Sequence, residues 1–186
     1  MNRIADLQED HARYMLGFPV GSALIDWAIA RLEAHEEGED LEICLLAGAT
    51  TEEESLPLTE SILRRYNTVA LDLEVVAGKR LVSLHSSYHK GEFSITDLDQ
   101  IINNVYVRLE YPSWLVMLQR NCELATDIDA FELPFEQEFD YIAKLWSTSN
   151  SVVEFQRVYS REVSNTHDFA PAHDSLKSPD HNGPQA

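Results

Sequence analysis

Between Asp97 and Trp146, apolar residues recur at steps of three and four through three consecutive segments divided at Pro112 and Pro134. The first carries Leu98, Ile101, Ile102, Val105 and Leu109, and the second Tyr111, Leu115, Leu118, Cys122 and Ala125. The third carries Phe135, Phe139, Ile142 and Trp146. Such steps return to one face of a 3.6-residue turn, so each segment reads as a helix with one apolar stripe. Three stripes in succession leave water only by covering one another or an earlier helix. The expected fold class is therefore all-α, a single-domain irregular bundle of about six to eight helices.

The segments before this stretch agree, with three ambiguities. Residues Met1 to Val20 are mixed and fit either a short helix or a packed arm. Ser22 is placed to cap a helix carrying Leu24, Ile25, Trp27, Ile29 and Leu32. Glu39 and Asp40 open a shorter one with Leu41, Ile43, Cys44, Leu45 and Leu46. Thr51 and Glu54 have capping-box spacing, but Pro57 removes a backbone donor shortly afterwards. That predicts either a helix beginning at Leu56 with Ser55 as cap, or a separate first turn. The third ambiguity is Thr68 to His89. Val69, Leu71, Leu73 and Val75 alternate as in a strand, and Ala77-Gly78-Lys79 fits a hairpin turn, which makes α+β with one small hairpin at 68–89 the alternative fold. Read as a helix, Leu73, Val76, Ala77, Leu81, Leu84 and Tyr88 share a face, with Gly78 costing ~1 kcal/mol relative to Ala. The helix is preferred, because a lone hairpin needs a sheet to join.

A last amphipathic segment carries Val152, Phe155, Val158 and Tyr159. From Ser164 the composition turns to Ser, Asp, His, Pro and Asn, which cannot bury enough to offset ordering entropy. The expected organisation is a helical domain over 1–163 and a disordered tail over 164–186.

Charge excludes more than it assigns. The chain has 32 acidic and 14 basic residues, a formal net of −18. Nucleic acid and anionic membrane would repel it, whereas a basic protein would not. No apolar run approaches the ~20 residues of a membrane span, and Met1 to Asp6 lacks the apolar core of a leader, so a cytoplasmic protein is expected. Cys44 and Cys122 lie inside apolar helical patterns and are expected to be buried free thiols.

No constellation demands catalysis. Gly-x-Ser-x-Gly and glycine-rich phosphate loops are missing, and Cys122 falls on an apolar stripe. His85 and His89 stand one helical turn apart and could share a metal with Glu92 as a third ligand, but Ser86 occupies the place where a zinc-protease helix has Glu. The expectation is no catalytic residue, no metal and no cofactor, with a carboxylate–histidine, metal-assisted enzyme around His85, His89 and Glu92 as the alternative.

The remaining feature is clustered acid. Residues 1–66 hold 14 acidic and five basic residues, half of the net charge. Glu36, Glu37, Glu39, Asp40 and Glu42 form one group, and Glu52, Glu53 and Glu54 a second across one short helix. These eight are the expected partner-binding residues, with Tyr66 and Trp114 as candidate aromatic anchors. A concentrated negative face speeds association with a basic partner. A small acidic helical protein without a catalytic set suits the masking of such a surface, as immunity or antitoxin-like proteins mask a toxin. A structural adaptor is the blander reading.

Overall fold

The computed structural model describes residues 3–167, which hold nine α-helices and no strand. They are α1 (Ile4–Met15), α2 (Ala23–Glu33), α3 (Leu41–Ala47), α4 (Glu52–Arg65), α5 (Leu73–His89), α6 (Ile95–Arg108), α7 (Val116–Asp127), α8 (Glu132–Thr148) and α9 (Val152–His167). Single 3-10 turns at Ser113–Leu115 and Asp129–Phe131 lead into α7 and α8. The irregular all-α bundle expected from periodicity is the observed fold. The count exceeds eight because the ambiguous N-terminal segment is helical: the Asp6 carboxylate accepts from the Arg3 backbone N–H at 2.8 Å and opens α1. α9 runs to His167, past the Ser164 expected to begin the tail, and residues 168–186 lie outside the described ones.

The other two ambiguities resolve at local helix caps. Asp72 accepts from the backbone N–H groups of Glu74 and Val75, so the 68–89 segment is a short link followed by α5, not a hairpin. Gly78 lies buried within α5 because Trp146 rests on it; a Cβ there would be 2.1 Å from Trp146 Cδ2. The glycine that weakens the helix in isolation is what lets α8 approach α5. In α4, Thr51 caps at Glu54 N and the helix continues through Pro57, which is exposed, so the break expected there does not occur. Pro134 is likewise accommodated in the first turn of α8.

Two apolar clusters form. The smaller joins Leu7, Leu24, Trp27, Ala28, Ile43, Leu46, Ile62 and Leu63, from α1 to α4. The larger runs from Leu16 and Phe18, just after α1, to Phe155 of α9. It is dominated by aromatics: Trp146 stacks on Phe155 at 4.3 Å between centroids, and Trp114 meets both edge-on. α5 and α8 run antiparallel across it. Gly78 meets Trp146 at one end, and Tyr88 reaches Glu136 at the other. Among the described residues, no helix is long and apolar enough to cross a membrane.

Candidate functional sites

The acidic N-terminal region divides once its partners are known. Asp40 is the side-chain cap of α3 and only 8% exposed, and Arg65 grips it from α4 at 2.6 Å. The same guanidinium reaches Glu42 at 2.7 Å, and Ser61 donates to the other oxygen of that carboxylate. The Tyr14 hydroxyl donates to Glu52. Glu54 turns back to accept from the backbone N–H and hydroxyl of Thr50, bonds that hold its carboxyl below the usual range. Four of the eight expected contact residues therefore serve the fold. Glu37 is half-buried, whereas Glu36, Glu39 and Glu53 are exposed with no internal ion pair among the described residues.

What charge counting misses lies between these carboxylates. α3 buries Ile43 and Leu46 but leaves Leu41 67% and Leu45 51% exposed. Cys44 is exposed beside them, contrary to its expected burial, because only the opposite side of this seven-residue helix packs on its neighbours. Leu41, Cys44 and Leu45 are spaced three and four residues apart and share one face. The helix rises only ~10 Å, so the stripe is compact, and acidic groups precede and follow it in the chain. This exposed face was hidden in the sequence because apolar residues cover most of the α3 circumference.

The aromatic anchors separate. Tyr66 is exposed at the end of α4. Trp114 is 1% exposed, and its indole N–H donates to Glu74 at 2.7 Å inside the larger cluster, so it is a core residue and no anchor. Cys122 is buried as expected, and burial pushes its thiol up to about 12, which removes it as a nucleophile.

A second constellation spans α5 and α8. His85 Nε2 is 2.6 Å from Asp140 Oδ1, His89 Nε2 is 3.2 Å from the same oxygen, and the two nitrogens are 3.0 Å apart. The helical reading of α5 correctly places both imidazoles on one face. The third donor is Asp140 of α8 and not Glu92, which follows α5 and is exposed. The hydrogen bond from His85 leads in holding the Asp140 carboxyl below its ordinary value. Phe139 meets the His85 ring edge-on at 5.0 Å, which limits its rotation. One turn away Tyr88 donates to Glu136 at 3.0 Å, and burial, reinforced by this bond, pushes the phenol up to about 12. Sequence spacing could not pair Asp140 with residues some fifty positions earlier.

No protein-family model matches this chain, and no curated protein or solved structure matches it either.

Proposed function

We propose that the chain is a cytoplasmic protein-binding module that neutralises a basic partner by direct contact, in the manner of an immunity or antitoxin-like protein. The observation that carries this reading is the exposed Leu41, Cys44 and Leu45 stripe, with free Glu36 and Glu39 before it and Glu53 after it. An apolar centre inside a charged rim is the anatomy of a protein interface, and the apolar part supplies most of the affinity. The carboxylates raise the encounter rate with a basic surface and disfavour acidic competitors. Arg65 contributes indirectly, by holding Asp40 and Glu42 so that the start of α3 stays ordered.

Cys44 offers the test, because it is exposed while Cys122 is buried, so one thiol can be labelled selectively. A photocrosslinker on Cys44 is expected to capture a basic protein from the native cell. The unlabelled chain should inhibit that protein at one-to-one stoichiometry, and Leu45→Asp should not. Association slowing steeply with added salt would complete the case. Capture with no inhibition, or equal inhibition by Leu45→Asp, would overturn it.

A further inference from the structure

We propose that His85, His89 and Asp140 form a binding site for a divalent transition-metal cation, zinc in the first instance, that ties α5 to α8. Three donor atoms of the right chemistry converge from two helices, all within 4.8 Å of one another. Two imidazole nitrogens and one carboxylate oxygen make a borderline donor set. It favours zinc and its first-row neighbours over magnesium or calcium, which prefer all-oxygen shells.

Hydrogen bonding alone does not account for the triangle. Its edges are 2.6, 3.0 and 3.2 Å, all at hydrogen-bonding distance. Each Nε2 has one in-plane site, either a proton or a lone pair. If both rings donate to Asp140, two N–H groups face each other across the 3.0 Å edge. If one ring donates to the other, at least one carboxylate edge loses its proton. Every edge is served at once when both rings are neutral at Nε2 and a cation takes the two lone pairs and the carboxylate oxygen together.

The dimensions are close to those required. Zinc–ligand bonds of about 2.0–2.1 Å in a tetrahedron set ligand atoms about 3.3–3.4 Å apart. The observed triangle opens to this size by side-chain shifts of less than about 1 Å, small for an Asp140 that is 60% exposed. The approach is open: a cleft beside the pair is lined by Val82, Ala143, Lys144 and Ser147. A fourth position toward this cleft is left for water, the arrangement of an accessible rather than a closed structural site. Lys144 is the neighbouring cation that the bound ion must tolerate, while Glu136, one turn before Asp140 on α8, adds negative charge. The site crosses the same helix pair that Gly78 and Trp146 bring together, so metal binding should reinforce that packing.

The test uses the full chain after chelator treatment. Zinc titration is expected to reach one equivalent and to raise the thermal midpoint, since a ligand bound only by the folded state stabilises it. Cobalt should give the visible absorption of a low-coordinate N/O site, and magnesium and calcium should give neither effect. His89→Ala and Asp140→Asn, both at exposed positions, should each weaken zinc at least about tenfold while leaving the circular dichroism unchanged. The other histidines, His11, His35, His167, His173 and His181, are the competing explanation. Their replacement should leave the zinc affinity unaltered. Zinc binding that survives both His89→Ala and Asp140→Asn, or that vanishes with the other histidines, overturns the proposal, as does no stoichiometric binding. Leu45→Asp should bind zinc normally, so this outcome is independent of the fate of the α3 interface.

Discussion

α3 and α8 are both rich in apolar residues, yet only one of them keeps those residues inside. Past its first turn, α8 has every apolar side chain buried or half-buried, from Phe135 through Trp146. α3 buries Ile43 and Leu46 and presents Leu41, Cys44 and Leu45 to solvent. The difference is one of surroundings, not of hydrophobicity. α8 lies among α5, α7 and α9, whereas the seven residues of α3 are covered by α2 and α4 on one side. A helix apolar around most of its circumference needs neighbours around most of it, and α3 does not have them. An uncovered apolar face on a highly charged molecule is therefore the better guide to an interface than the charge itself.

The sharpest way to break the contrast is Trp146→Ala. It removes the ring that stacks on Phe155, meets Trp114 and covers Gly78, and should cost about 3–5 kcal/mol in denaturant unfolding. A loss below that of a surface substitution would show that the aromatic cluster is not the main support of the fold. Next comes Gly78→Ala. In isolation this change favours a helix by ~1 kcal/mol, but here the new methyl meets the Trp146 ring, and overpacking of about 1–3 kcal/mol or more should dominate. Stabilisation instead would mean that α5 and α8 are less closely packed than 2.1 Å between that Cβ and the ring implies.

A smaller, pH-dependent effect belongs to the N-terminal half. Burial lowers the His11 pKa from its ordinary 6.5, although Glu60 at 3.8 Å partly opposes this. The folded state thus prefers the neutral ring. Its contribution to stability is whole above pH 6.5 and declines as the pH falls toward the lower folded value. Between about pH 7 and pH 5, His11→Gln should lose less thermal midpoint than the parent chain. An equal or greater loss would remove His11 as a pH-sensitive element. The least disturbance to folding is expected from Leu45→Asp: at an exposed position it should change stability by less than about 0.5 kcal/mol while abolishing partner binding. Retained binding with an intact fold would show that α3 is not the contact face.

The main architecture was readable because amphipathic periodicity is local. Leu98, Ile102 and Val105, then Leu118, Cys122 and Ala125, then Phe135, Phe139, Ile142 and Trp146 are all buried, as the three- and four-residue steps demand. Capping was local at Thr51, whose hydroxyl accepts from the Glu54 backbone N–H in its own first turn, whereas Ser22 precedes α2 without a cap bond and donates to the Asp26 carboxylate instead. Where the reading failed, the deciding atoms were distant in sequence. Trp114 looked available as an anchor until Glu74 and Trp146 enclosed it. Asp40 and Glu42 looked like free acid until Arg65 closed on both.

From its sequence alone, this chain is committed to amphipathic helices, an all-α core and a strongly negative surface, because spacing, caps and charge act within a few residues. Tertiary structure alone decides which apolar face stays uncovered and which polar groups meet. It leaves Leu41, Cys44 and Leu45 without a covering helix. It turns Gly78 from a weak point into the contact that admits Trp146, and it brings Asp140 of α8 to His85 and His89 of α5. Each outcome depends on where a second helix crosses the first, and no local periodicity encodes a crossing point.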